Sequence, residues 1–169
     1  MVNFFLKEKT LKANNKSFKY IEKGEGNLVL LVHGWPESCH SWLNQIFYIS
    51  NLGFKVVAIN VRGYAGSVSP RSIQSYKLKF FIEDIIDIIN YFKRENVILI
   101  GHDWGAPICW TTAAYYKEKI TAVIGLSVPF TRRGKISSTK LWQKLYKNIF
   151  FYQNYFCLLY TSPSPRDSV

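Results

Sequence analysis

The chain has 169 residues, of which 48% are hydrophobic and 17% are aromatic; this is enough for one domain with a core and excludes an intrinsically disordered chain. Lysine and arginine outnumber aspartate and glutamate by 22 to 11, so the formal net charge is +11 at pH 7. Because the lysines are spread along the whole chain, this charge favours a solvated basic surface over a nucleic-acid-binding one.

Hydrophobic runs, the N-terminal residues and the cysteine spacing indicate the cellular compartment of the protein. No apolar run approaches the roughly 20 residues of a membrane-spanning helix, and charge appears already at Lys7, which is unlike a secretory signal. The three cysteines, Cys39, Cys109 and Cys157, are widely spaced and favour reduced thiols over a disulfide or metal framework. We therefore expect a cytoplasmic protein without cofactor or metal that binds neither membrane nor nucleic acid, with its oligomeric state open.

Short continuous apolar runs alternate with amphipathic segments along the chain. Such runs are typical of buried parallel strands, and segments with period 3.6 are typical of helices. The predicted elements, in chain order, are an antiparallel strand at 17–22, a strand at Leu28–Val32, a helix at 41–52, a strand at 56–61, a helix at 76–93, a strand at 97–100, a helix at 104–117 and a strand at 122–126. This order predicts an α/β fold, with a mostly parallel sheet covered by helices on both faces.

The sequence Gly101-His102-Asp103-Trp104-Gly105 lies where a predicted strand ends and a predicted helix begins. A nucleophile flanked by glycines at a strand-to-helix turn is the nucleophile elbow of α/β-hydrolases, in which the glycines permit a tight turn. The pattern predicts Asp103 as the nucleophile. The alternative is that Asp103 only caps the following helix, since aspartate is a favoured N-cap residue.

An aspartate at this position indicates the class of bond that is broken. A serine attacking a saturated carbon would leave an ether, which water does not cleave at neutral pH. A carboxylate attacking the same carbon leaves an alkyl ester, which can be hydrolysed in an oxyanion hole. Asp103 therefore predicts displacement at a saturated carbon, which means epoxide opening or halide displacement.

A second motif, His33-Gly34-Trp35-Pro36-Glu37-Ser38, follows the first predicted parallel strand. In the hydrolase design, one oxyanion-hole N–H comes from the residue after the nucleophile and the other from a loop of this kind. The backbone N–H groups of Trp104 and Trp35 are the candidates. We interpret Pro36 as fixing the direction of the loop and His33 as a structural residue that holds it.

Four motifs together resemble those of soluble epoxide hydrolases, in order and spacing, over residues 17–156. They are the segments 33–38, 60–67, 101–107 and 125–130. The resemblance implies an incomplete α/β-hydrolase core with the start of a helical cap. It implies catalytic roles for Asp103, Trp35 and Trp104, and structural roles at the site for His33, Gly34, Pro36, Gly101, His102 and Gly105. Where the family usually has aspartate and glycine, this chain has Asn60 and Ala65.

The resemblance also divides the chain. It implies a hydrolase core at 1–128 and the start of a cap at 129–156, in which Tyr152 matches a tyrosine that hydrogen-bonds the epoxide oxygen. A phenol suits this role because the alkoxide that forms is far more basic than a phenolate. Residues 157–169 carry Ser-Pro repeats and are predicted to be an unstructured tail that resembles a sequence artefact.

The histidines decide which half-reactions the chain can support. Only His33, His40 and His102 are present, and none follows Asp103, where the family keeps its water-activating histidine. The expected parent activity is hydrolysis of a small apolar epoxide to a vicinal diol, with the chain itself inactive in turnover. The alternatives are a haloalkane or haloacid dehalogenase, and a non-catalytic α/β-hydrolase that binds a small ligand.

Overall fold

A computed structural model describes residues 6–64 and 66–130, all within the first of the two units into which the chain divides, Met1–Phe130. The strands are β1 (Lys9–Ala13), β2 (Lys16–Lys23), β3 (Leu28–Val32), β4 (Lys55–Ile59), β5 (Val97–His102) and β6 (Ile120–Leu126). The helices are α1 (Leu43–Asn51), α2 (Leu78–Tyr91) and α3 (Gly105–Tyr115), with short 3-10 helices at Cys39–Trp42 and Ile73–Tyr76. Among the described residues, no helix is long and apolar enough to span a bilayer.

The six strands form one sheet in the order β1-β2-β4-β3-β5-β6. Strand β2 pairs antiparallel with β1 and β4, and the pairs β4–β3, β3–β5 and β5–β6 are parallel. The predicted mostly parallel α/β fold is therefore confirmed. Strand β1 was not predicted, because only Leu11 and Ala13 of its five residues are apolar and buried.

The element boundaries differ from the predictions by a few residues. The fourth strand ends at Ile59 instead of residue 61, because its parallel register with β3 stops where Val32 meets Ile59. Strand β5 continues to His102 because it stays paired with β6 as far as Leu126. Each predicted helix is shortened at both ends, and 3-10 turns precede α1 and α2.

The central strand β3 is packed on both faces, as a buried parallel strand requires, whereas β6 has no buried residue. In β3, alternate residues enter two different clusters: Leu28, Leu30 and Val32 pack with α2 and α3, and Val29 and Leu31 pack with Cys39, Trp42 and Ile46. All five β3 residues are buried. The C-terminal ends of β3 and β5 are neighbours in the sheet. The loops that follow these two strands therefore lie next to each other.

A buried ion-pair network joins the segment after β4 to helix α2 and strand β2. The Arg62 guanidinium donates two hydrogen bonds to the Asp84 carboxylate, at 2.8 and 2.7 Å, and both side chains are 5% exposed. The Lys16 ammonium lies 2.7 Å from Asp84 and 2.6 Å from Asp87. Burial lowers the pKa of Lys16, but the hydrogen bonds to the two carboxylates outweigh it, so the pKa is raised.

We predict that Asp84→Ala lowers the free energy of unfolding by about 3–5 kcal/mol, because the Arg62 charge stays buried without its partner. The matched control is Glu83→Ala on the same helix, where the side chain is exposed and the change should stay within about 0.5 kcal/mol. Chemical denaturation of the two variants measures the difference. Equal free energies of unfolding would contradict the structural role of the network.

His33 ties the end of β3 to the loop after β4. It is 0% exposed, its Nε2 accepts the N–H of Val61 at 3.2 Å, and its Nδ1 lies 2.7 Å from the Gly34 carbonyl oxygen. These contacts require the neutral tautomer with its proton on Nδ1. Burial lowers the pKa of His33, against the opposing effects of the Gly34 hydrogen bond and the Glu37 charge. The neutral ring therefore holds the loop in place.

We predict that the folded chain loses stability as pH falls through the ordinary histidine pKa of about 6.5, because the unfolded state takes up a proton that folded His33 resists. The stabilisation that neutral His33 provides is fully present above this pH. It is lost progressively as the pH falls toward the lowered pKa of His33 in the folded chain. Chemical denaturation of His33→Gln should show a smaller decrease in the free energy of unfolding between about pH 7 and pH 5 than that of the unsubstituted chain. The control His40→Gln, measured like the other proteins in metal-free buffer, changes an exposed histidine and should keep the full loss of stability. An unchanged loss in His33→Gln would refute the assignment.

Candidate active site

Asp103 occupies the turn between β5 and α3 in a left-handed backbone conformation, with a φ of 49°. Such a conformation costs a non-glycine residue about 1–3 kcal/mol and persists only where the surroundings determine it. Here the Asp103 N–H donates to the Leu126 carbonyl at 3.2 Å, and the Asp103 carbonyl accepts the N–H of Ala106 at 3.0 Å. The turn is thus held from β6 on one side and from α3 on the other.

Three glycines make room for this turn. A Cβ at Gly101 would overlap the Gly105 carbonyl, and a Cβ at Gly105 would overlap the Val32 carbonyl. A Cβ at Gly34 would overlap the Asp103 Cβ and lie 2.5 Å from its Oδ1. The three chain segments therefore approach more closely than any side chain would allow.

The Asp103 carboxylate faces the loop that follows β3. The Trp35 N–H donates to Asp103 Oδ1 at 3.0 Å, and the Trp35–Pro36 peptide is cis. The N-cap residue of helix α3 is Trp104, whose side chain makes no capping hydrogen bond, so Asp103 does not occupy the cap position. Its carboxylate is bound by the loop after β3 instead, and a residue that only capped the helix would not need this contact.

Trp104 differs from Trp35 in its contacts. Its backbone is already helical, with φ −58° and ψ −25°, and its indole is 50% exposed. Among the hydrogen bonds of residues 6–64 and 66–130, the Asp103 carboxylate accepts one from Trp35, and none comes from Trp104. The structure brings both tryptophans to Asp103 but pairs only one of the two amides with the carboxylate.

Glu37 links the two motifs and was not singled out from the sequence. Its carboxylate lies 3.0 Å from Nδ1 of His102, and its N–H donates to the Gly34 carbonyl at 3.1 Å. His102 thus connects the elbow to the β3 loop. A pairing across 65 residues leaves no periodic signal; only the presence of glutamate within the loop motif hints at it.

A cavity of about 560 Å³ opens beside this turn. Gly34, Trp35 and Trp104, the neighbours of Asp103, form part of its wall. The rest of the lining is largely apolar and comprises His33, Val61, Arg62, Gly63, Tyr64, Tyr76, Leu78, Phe81 and Ile108. The volume and lining suit a small apolar molecule.

Tyr64 is one of the polar residues of the cavity wall that the sequence analysis did not single out, although it lies within the 60–67 motif. Its ring packs edge-on against His33, with centroids 4.6 Å apart. Burial, and then the negative charges of Asp103 and Glu37, raise the pKa of Tyr64, so it stays a neutral phenol. Tyr152, Ala65, the predicted cap beyond Phe130 and the predicted tail lie outside the described residues.

The chain is similar to proteins of known family. Residues 27–159 match the alpha/beta hydrolase fold family. Epoxide hydrolase B of Mycobacterium tuberculosis is 41% identical over 112 residues, which are 66% of this chain and 32% of that protein. Epoxide hydrolase A of the same organism is 32% identical over 151 residues, which are 88% of this chain and 47% of that protein.

A solved structure extends the similarity to three dimensions. The crystal structure of an epoxide hydrolase from Vigna radiata superposes with a TM-score of 0.76 at 35% identity, covering 83% of this chain and 44% of that chain. The chain thus spans between about a third and a half of the length of these relatives. The chain belongs to the alpha/beta hydrolase fold family, and within that family its relatives are epoxide hydrolases.

Proposed function

We propose that Asp103 is the nucleophile of an epoxide hydrolase, acting on a small apolar epoxide and water in a protein that includes this chain. The observation that carries the proposal is the hydrogen bond from the Trp35 N–H to Asp103 Oδ1. It fixes one carboxylate oxygen and leaves the other as the attacking atom. The similarity to epoxide hydrolases supports the choice of an epoxide as substrate.

In the first step, Oδ2 of Asp103 attacks a ring carbon, and the bond between that carbon and the epoxide oxygen breaks. The electron pair of that bond stays on the oxygen, which takes a proton from an acid. We assign this acid to Tyr152, on the resemblance stated above. The product is an alkyl ester of Asp103 that carries a neighbouring hydroxyl group.

In the second step, water attacks Cγ of the Asp103 ester, and negative charge develops on Oδ1. That atom already accepts the Trp35 N–H at 3.0 Å, so the donor is in place before the charge forms. Such preorganised donors are worth about 10²–10³ in rate. We assign the Trp104 N–H as the second donor, which requires it to close on Oδ1 in the transition state. Collapse breaks the bond between Cγ and Oδ2, and the leaving oxygen takes the proton that the base removed from water, which releases the diol. The carboxylic acid that remains loses its proton to restore the carboxylate, and the phenolate left by the first step regains one.

The second step also needs a base that removes a proton from water. His33 lines the cavity, but its Nε2 lone pair is taken by the Val61 N–H. His102 pairs with Glu37, and neither His102 nor His40 lines the cavity. No further histidine is present in the sequence. We therefore assign to this chain the alkylation step alone.

We predict that the chain, incubated with styrene oxide, forms at most one base-labile ester per molecule, on Asp103, and no steady-state diol. Intact-mass measurement and peptide mapping follow the adduct, and mild alkali distinguishes an ester from a stable thioether on cysteine. Asp103→Ala should abolish the ester, whereas Cys109→Ser, which changes a buried thiol, should leave it unchanged.

Other outcomes of this experiment separate the alternatives. Multiple turnovers that Asp103→Ala abolishes would show that the chain holds a base, which contradicts the assignment of a single half-reaction. Faster labelling by a bromoalkane than by the epoxide, with release of bromide, would favour a dehalogenase. Binding of the epoxide without any adduct, unchanged in Asp103→Ala, would favour a ligand-binding protein and refute the nucleophile.

A further inference from the structure

Three side chains of metal-binding type meet away from Asp103. Cys39 and His40 begin the 3-10 helix after the Trp35 loop, and Glu8 directly precedes β1. The Cys39 Sγ lies 4.0 Å from Glu8 Oε1 and 3.6 Å from His40 Nδ1. The three ligand atoms all lie within 4.8 Å of one another.

Each of these residues is positioned by contacts outside the cluster. The Cys39 N–H donates to Asn60 Oδ1 at 2.7 Å, and the His40 N–H donates to Ser38 Oγ at 3.3 Å. Leu6 packs against the hydrophobic cluster that contains Cys39, which holds the segment before β1 beside the thiol. The cluster is therefore preorganised by the fold.

Of the three separations between ligand atoms, the one between Cys39 and His40 matches one small tetrahedral ion as it stands. Zinc binds thiolate sulfur at about 2.3 Å and imidazole nitrogen at about 2.0–2.1 Å. At a tetrahedral angle these lengths separate sulfur and nitrogen by about 3.5 Å, against 3.6 Å between Cys39 and His40. The 4.0 Å between Cys39 and Glu8 must shorten by about 0.5 Å, and the ligand atoms of Glu8 and His40, which lie within 4.8 Å of each other, must approach to about 3.4 Å. Both movements fall on the Glu8 side chain, which is 36% exposed.

We propose that Glu8, Cys39 and His40 bind one Zn²⁺ ion through Oε1, Sγ and Nδ1, with water as the fourth ligand. A mixed set of thiolate, imidazole and carboxylate suits a borderline ion such as zinc. The Cys39 thiol releases its proton to solvent on binding. Cys39 is 0% exposed and His40 is exposed, so we assign the water ligand to the His40 side of the ion.

The proposed site has a cationic neighbour and lies apart from the cavity beside Asp103. Lys19 lies 3.8 Å from Oε2 of Glu8, so the lysine takes one oxygen and Oε1 remains on the sulfur side. None of the three ligands lines the cavity beside Asp103. A bound ion would join the segment before β1 to the residue pair that follows the Trp35–Ser38 loop.

The expectation of no metal site followed from cysteine spacing, which cannot detect a ligand 31 residues upstream.

The test uses Co²⁺ as a coloured substitute for Zn²⁺. The chain is reduced, treated with a chelator and titrated with Co²⁺ while its absorption spectrum is recorded. We expect one Co²⁺ per molecule, a thiolate-to-cobalt charge-transfer band, tetrahedral visible bands, and displacement by Zn²⁺ but not by Mg²⁺. Cys39→Ser, His40→Gln and Glu8→Gln should each weaken binding by at least about tenfold, since even partners of metal ligands cost about 10–100-fold.

The matched controls are Cys109→Ser and Cys157→Ser, which remove the other thiols of the chain and should leave the titration unchanged. His40→Gln and Glu8→Gln alter side chains outside the buried core, so far-ultraviolet circular dichroism should match that of the unsubstituted chain. The absence of a charge-transfer band would overturn the proposal. A band that survives Cys39→Ser but disappears in either control would assign the metal to another thiol and overturn it as well.

Discussion

Asp103 is held with a φ of 49° while its Oδ1 accepts the Trp35 N–H at 3.0 Å. The strained backbone directs the carboxylate toward the β3 loop, and the amide of that loop receives it. Both depend on Gly34, where any Cβ would overlap Asp103. The parallel pairing of β3 and β5, with Val32 opposite Gly101, places the C-terminal ends of these two strands side by side.

Further contacts make the loop rigid enough to hold this geometry. His33 is buried and accepts the Val61 N–H, so protonation of its ring would break a contact within the fold. Glu37 reaches back to His102, the residue before Asp103. Because the loop is fixed at both ends, its amide is in place before the proposed reaction begins, as the proposed role of a preorganised donor requires.

The sequence was sufficient for features that are local or periodic. The apolar runs located four parallel strands, and the glycine spacing located the turn at Asp103. Contacts between distant residues were not predictable, because no local pattern records the pairing of Arg62 with Asp84 or of Glu37 with His102. Strand β1 was missed because it contributes only Leu11 and Ala13 to the core. The wall of the cavity required the tertiary fold to bring separate segments together.

The most direct test of the central hydrogen bond is the backbone amide proton of Trp35, observed by NMR in chain labelled with ¹⁵N-tryptophan. The chain has five tryptophans, and Trp35→Phe identifies the signal. A bond to an ionised carboxylate predicts a strongly downfield proton that moves upfield in Asp103→Asn and further in Asp103→Ala. A Trp35 amide shift that is the same in all three proteins would contradict the account.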